Sequence, residues 1–247
     1  MGSEVFLPEE VSTDHFFREK VVVYQKKKGY RFALDAPILA DFLPFCGDAA
    51  LEIGCGSGIV SLLALYRDKF PKVTGIEIQE DLSRLARRNA EANGLSRRFQ
   101  VVHADFNEIY SAFQGIPLIF SNPPFAPLGR GRLSALTEVR LAKFELALSL
   151  SDILEKSRSI LAPEGHLILI FPFLRYNELL AHAGRIGLFP SRTRLVKPFE
   201  HREPDRVLVQ LGGKKVRPCE QEPLVVFREK GVYSDEMNRI FEGKGHD

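Results

Sequence analysis

Leu51-Glu52-Ile53-Gly54-Cys55-Gly56-Ser57-Gly58 decides how this chain is read. A short apolar strand runs into three alternating glycines and then into the apolar stretch that begins at Ile59. This is a strand turning tightly into a helix, with glycine where the backbone needs torsions closed to other residues and where a ligand can lie against the main chain. A dinucleotide fingerprint would need a third glycine at the position held by Ile59, and a phosphate loop would need a following Gly-Lys-Ser/Thr, which is absent. Glu52, just ahead of the glycines, would repel a pyrophosphate but can hold an ammonium, directly or through water. The loop therefore favours S-adenosyl-L-methionine, whose methionine end carries such an ammonium.

Outward from this loop the pattern alternates strand and helix. Strands are expected at 49–53, 72–78, 99–103 and 118–121, with helices at 59–70 and 82–93 and a weaker helical segment at 107–113. A long helix is expected over 138–161, then a strand at 166–171, a helix at 178–186 and two final strands at 191–196 and 206–211. The fold class is α/β, a Rossmann-like doubly wound, mostly parallel sheet, because strands separated by helices pair in parallel. The last two strands lack an intervening helix and are expected as an antiparallel edge hairpin. Ahead of the loop, the β-branched run Val21-Val22-Val23-Tyr24 reads as part of a small hairpin, and 36–42 as a short helix capped by Asp35. One domain is expected over 1–247: a hairpin and lid at 1–45, a catalytic sheet at 49–211 and an accessory segment at 212–247.

Two more carboxylates fall at strand ends. Glu77 closes the second strand about 20 residues past the loop, the place from which an acid accepts ribose hydroxyls. Asp105 follows the third strand and can accept an adenine amino group, with Phe106 or Ile78 covering the ring. Any one of the three acids alone reads as a solvated charge. At successive carboxyl ends beside the glycine loop, they read together as a cofactor site.

After the fourth strand comes Ser121-Asn122-Pro123-Pro124-Phe125. Successive prolines fix the backbone and remove two N–H donors, which leaves carbonyls facing outward. An exocyclic ring amine is a poor nucleophile because its lone pair is delocalised. The Asn122 side-chain carbonyl and the Pro123 main-chain carbonyl can each accept one of its N–H groups as the nitrogen becomes tetrahedral. Phe125 can stack on a flat substrate. The donor is already activated, so no metal is expected.

With these residues in place, the chain resembles the class I S-adenosylmethionine-dependent methyltransferases with an Asn-Pro-Pro-Phe/Tyr motif. Within them it is most similar to bacterial tRNA adenine-N6-methyltransferases that modify the adenosine beside the anticodon of a valine tRNA. The closer resemblance rests on Gln25 with 29–36, on Arg140 with 142–145, on Phe171-Pro172 with Arg175 and 178–180, and on 206–209. Pro117 stands where the family commonly has Asp, and Phe144 where it often has His. The resemblance implies that Tyr30, Arg31 and Asp35 close over the methionine end, that Glu52, Ile53, Gly54, Cys55, Gly56, Gly58, Glu77, Ile78, Asp105, Phe106 and Asn122 hold the cofactor, and that Asn122, Pro123, Pro124 and Phe125 are catalytic. Alternatives are glutamine methylation of a release factor, guanine-N2 methylation of RNA, or a cofactor-binding module that recognises RNA without methylating it.

The chain of 247 residues has 34 Lys and Arg against 32 Asp and Glu, a net charge of +2, which excludes a polycationic coat protein but not local basic patches. Candidates to meet tRNA are Lys26, Lys27 and Lys28, Arg130 and Arg132, Lys143, and Arg194 within a cluster that includes Arg192 and Lys197. Three cysteines without ligand spacing, an acidic start and no long apolar stretch point to a cytoplasmic protein with no membrane association. A monomer is expected.

Overall fold

The structure, a computed structural model, describes residues 11–27, 34–123 and 148–243. Its centre is an eight-stranded sheet. In chain order the strands are β3 (Ala50–Ile53), β4 (Val73–Glu77), β5 (Phe99–His103), β6 (Ile116–Ser121), β7 (Leu161–Pro172), β8 (Phe189–Lys197), β9 (Arg206–Gly212) and β10 (Cys219–Val225). They lie side by side as β5-β4-β3-β6-β7-β9-β8-β10. Only β9 runs against its neighbours β7 and β8.

Strand periodicity explains the two packed faces. Along β7, Ile168 and Ile170 join one core, while Leu167, Leu169 and Phe171 join the other. The first core packs α1 (Asp35–Phe42), α2 (Ile59–Tyr66) and α3 (Glu80–Ala92); the second packs α4 (Phe106–Ile109), α5 (Leu150–Ile160) and α6 (Tyr176–Arg185). A sheet with helices on both faces has strands buried on both sides, so the core strands read as nearly continuous apolar runs.

The structure corrects several sequence expectations. The helix α1 begins at Asp35, which lies in its first turn and makes no capping bond; Leu34 is the residue before it. The antiparallel pair β8 and β9 forms as expected but is not the edge, because β10 adds parallel to β8 outside it. Residues beyond 211 thus contribute a strand to the main sheet. The helix expected over 138–161 does not run through Leu148 and Ser149: Ser149 caps α5, its hydroxyl accepting from Asp152 N while the Asp152 carboxylate accepts from Ser149 N, both at 3.1 Å. Leu161 then turns extended, so β7 starts five residues earlier than 166.

The N-terminal hairpin pairs β1 (Val11–Phe16) with β2 (Val21–Lys26). It lies against helix α3 through two asparagines. Asn89 bonds both the N–H and the carbonyl of Tyr24 (2.8 and 2.9 Å), and Asn93 does the same for Val22 (2.9 and 2.7 Å). At the other end of the chain, the strands β11 (Phe227–Glu229) and β12 (Val232–Tyr233) form a small hairpin that leads into α7 (Asp235–Glu242), capped by Ser234.

Candidate cofactor and catalytic site

The register of the sheet brings the chemistry-bearing residues to one level. Ile53 pairs with Ile76 of β4 and with Ser121 of β6, and Glu77 pairs with His103 of β5. Gly54, Ile78, Ala104 and Asn122 are therefore the residues that leave four adjacent parallel strands at their carboxyl ends. Two bonds lock this level: Gly54 N donates to Ile76 O at 2.9 Å, and Ser121 Oγ donates to Ile53 O at 2.7 Å.

The glycine loop is shaped by torsion and by close packing. Gly54, Gly56 and Gly58 have φ of 68°, 56° and 82°. A Cβ on Gly58 would lie 2.5 Å from the Phe99 ring, whereas a Cβ on Gly54 would meet nothing within 4 Å. The loop thus packs hard onto β5 on one side and presents open main chain at Gly54. Cys55 is buried, which together with Glu52 and Glu77 pushes its thiol well above its usual range; it is no nucleophile.

Three acids surround this main chain. Glu52 is 2% exposed and accepts from Ser61 Oγ. Burial pushes its carboxyl up to about 8, against the hydrogen bonds from Ser61 and with a smaller push from Glu77, which favours the neutral acid near pH 7. Glu77 spans the loop, accepting from Gly56 N and Gln79 N, both at 2.8 Å. Burial raises its carboxyl as well, opposed by those two N–H groups. Asp105 caps α4, accepting from Asn107 N at 2.8 Å. Of the two side chains expected to cover a ring here, Ile78 is 41% exposed and open, whereas Phe106 is 3% exposed. The Phe106 ring packs into the second core against Tyr110, because the first residue of α4 faces the sheet, and this leaves Ile78 as the exposed one of the two. Asn122 and Pro123, both half-buried, follow directly from the locked end of β6. Pro124, Phe125, Tyr30 and Arg31 lie outside the described residues.

A buried acid fit for an ammonium, a second acid anchored beside a glycine loop, a third at the next strand end and open main chain between them suit S-adenosylmethionine. The methyltransferase small domain family matches residues 34–185. The chain belongs to this family.

This methyltransferase is also similar to a tRNA1(Val) (adenine(37)-N6)-methyltransferase of Parabacteroides distasonis, 29% identical over 93% of this chain and 97% of that one. A protein of the same description from Porphyromonas gingivalis is 31% identical over 78% of this chain and 77% of its own length. Among solved structures, a predicted O-methyltransferase from Agrobacterium tumefaciens superposes with a TM-score of 0.65 at 22% identity, covering 86% of this chain and 98% of that one. At that identity the likeness speaks for the fold alone.

Asp35 of the methyltransferase sits at the carboxyl edge but is engaged: Arg206 Nε donates to its Oδ2 at 3.1 Å, where Arg206 pairs with Pro172 at the end of β7. Burial raises the Asp35 carboxyl and Arg206 lowers it, with the net shift upward. The basic residues separate. Lys26 bonds Asp81 at 2.7 Å on the exposed surface, and Lys27 is exposed. Arg194 is already engaged: Nη2 donates to Glu236 at 2.6 Å, Nε to Glu222 O at 2.9 Å, and its side chain is 11% exposed. Its position within β8 turns it onto α7 and β10, which a reading of charge alone could not reveal. Lys28, Arg130, Arg132 and Lys143 lie outside the described residues.

Three supporting residues were missed. Ser61 holds Glu52, Ser121 ties β6 to β3, and Asn89, fully buried, donates to Ser57 O at 2.9 Å while it holds the hairpin. Ser61 and Asn89 did leave a signal, since each is a polar residue on a mostly apolar helix face.

Proposed function

We propose that this methyltransferase acts on the exocyclic N6 amine of an adenine in tRNA, the adenosine at position 37 of a valine tRNA. The observation that carries the reading is the register: Asn122 leaves β6 at the level where Gly54 leaves β3, so an acceptor amine held by Asn122 would face a donor held by the loop. Relatives of that description, similar over most of the chain, support the substrate. One domain over 1–247, working as a monomer in the cytoplasm, completes the proposal.

In this reading Glu52 takes the methionine ammonium, Glu77 the ribose hydroxyls and Asp105 the adenine amino group, with Ile78 across the ring. Bound S-adenosylmethionine supplies a methyl group on a sulfonium, already activated for transfer. Asn122 Oδ1 and the Pro123 carbonyl accept the two N–H groups of the target amine, which turns its lone pair toward the methyl carbon. With the cofactor held there, its methyl group would pass to the nitrogen as the C–S bond breaks, with S-adenosylhomocysteine as the leaving group; the same two acceptors would stabilise positive charge on nitrogen, and the extra proton would leave to water. An adenine within a folded tRNA must swing out to reach this pocket.

The test is transfer to tRNA from cells that lack this modification, followed by digestion and mass spectrometry of the nucleosides. N6-methyladenosine mapped to position 37 of a valine tRNA is expected. Methyl groups on guanosine, or on glutamine of a release factor, would overturn the substrate while keeping the chemistry.

A further inference from the structure

At the opposite end of the sheet lies a cavity of about 420 Å³, a size common for small-ligand sites. It is lined by Asp41, Phe42, Phe45, Arg67, Lys69 and Arg192, among others. The segment 41–46 precedes β3 and 67–69 precedes β4, so the cavity opens at the amino ends of the parallel strands, away from Gly54, Glu77 and Asn122.

Much of its positive charge has a structural purpose. Helix α1 ends here, and its last carbonyls need donors. Lys69 Nζ donates to Asp41 O (2.8 Å) and Leu43 O (2.5 Å), and Arg192 Nη2 donates to Phe42 O (2.8 Å) while its guanidinium lies over the Phe42 ring at 3.9 Å. Arg67 Nη1 meets Asp41 at 2.6 Å. Capping does not use everything. Arg67 Nη2 and Arg192 Nε are buried with no hydrogen-bond partner among the described residues, and the Arg67 side chain is only 8% exposed. Buried guanidinium N–H groups without acceptors are rare, and they suit an oxyanion, which accepts from guanidinium in planar, charge-assisted pairs. At the rim, Phe45 is 76% exposed, with Lys69 Nζ 5.1 Å from its ring centre. A large aromatic left in solvent at the rim of a cation-lined cavity offers a face on which a base can stack.

We propose that this cavity binds the phosphate of a nucleotide, with Arg67 and Arg192 on the phosphate oxygens and Phe45 against the base. The phosphate can belong to a free mononucleotide or to a tRNA terminus. The site is distinct from the cofactor edge and stands whether or not the proposed substrate is correct.

The test is calorimetric titration of AMP and of inorganic phosphate into the whole protein, with saturating S-adenosylhomocysteine blocking the adenine pocket of the cofactor site. One saturable AMP site is expected. Arg192→Gln should weaken both ligands by about tenfold or more, the loss of one charge-assisted bond. The exposed Phe45→Ala, which leaves the fold untouched, should weaken AMP severalfold and phosphate hardly at all. Cofactor affinity in both variants should equal that of the parent, which also shows that they are folded. Displacement of AMP by tRNA would assign the phosphate to RNA, and retention of AMP would assign it to a free nucleotide; either keeps the site. Absence of saturable binding with the cofactor site filled, or unchanged binding in both variants, overturns the proposal.

Discussion

At the carboxyl end of the sheet two acids, Glu52 and Glu77, are 2% and 4% exposed; at the amino end the buried cations Arg67 and Lys69 lie beside one buried acid, Asp41. The difference follows from which helix ends face which edge. Helices α2 and α3 begin at the carboxyl end, so partial positive charge and spare N–H groups gather there, and Gly56 N and Gln79 N go to Glu77. Helices α1 and α2 finish at the amino end, where carbonyls collect and take Lys69 and Arg192. The carboxyl end thus gathers buried acids beside spare N–H groups, and the amino end gathers buried cations beside spare carbonyls, one of them paired with Asp41.

The sharpest way to break this comparison is at Asn122. Asn122→Ala should lower kcat by about 10²–10³-fold, the cost typical of losing one acceptor aimed at developing charge, with cofactor affinity retained. Single-turnover transfer and calorimetry on the same preparation separate the two quantities. Turnover close to the parent's would remove Asn122 from the chemistry.

Gly58→Ala comes next. It forces a Cβ to within 2.5 Å of the Phe99 ring at a φ of 82°, and should cost roughly 2–4 kcal/mol in urea denaturation. Gly54→Ala shares the left-handed torsion but meets no atom within 4 Å, so it should cost less stability.

The two ends should also respond to pH in opposite directions. Glu52 rises in the fold from 4.5 to about 8, so the folded protein holds a proton that the unfolded chain has lost, and stability should fall as pH rises through 4.5–8. Lys69 drops from 10.5 to about 8, mainly through burial, so its contribution has the other sign: stability should rise between about 8 and 10.5. Denaturation midpoints of Glu52→Gln and Lys69→Met against the parent isolate each group. A Glu52→Gln difference that does not change across the lower window would refute the buried neutral acid.

The smallest effect belongs to the surface. Lys26→Ala removes a pair with Asp81 whose side chains are 26% and 61% exposed, and should change stability by less than about 1 kcal/mol. A larger loss in thermal melts would mean that the hairpin depends on this pair more than on Asn89 and Asn93.

Much of the carboxyl end was legible because its signals are local. Glycines at alternate positions, an acid ahead of them and an Asn-Pro step after an apolar strand are adjacent in the chain, and strand ends of a parallel sheet converge without further information. The failures share a cause. Phe106 read as a ring cover because it follows Asp105 at a strand end, but the turn into α4 rotates its side chain into the core. Arg194 read as a phosphate contact because its charge is visible and its partner, Glu236, is 42 residues away. β10 read as an accessory segment because its first four residues are all exposed and carry no apolar alternation, and Leu224 is its one buried residue.

The sequence by itself determined most of the order of strands and helices, the mostly parallel sheet and the class of chemistry. These rest on apolar periodicity and on residue types whose backbone torsions are restricted or unusually free, which act within a few positions along the chain. Only the tertiary structure decided which charges are open and which are spent. A guanidinium or carboxylate is defined by the partner that reaches it, and those partners come from other elements, often far apart in sequence: Arg206 on Asp35, the end of α1 on Lys69 and Arg192.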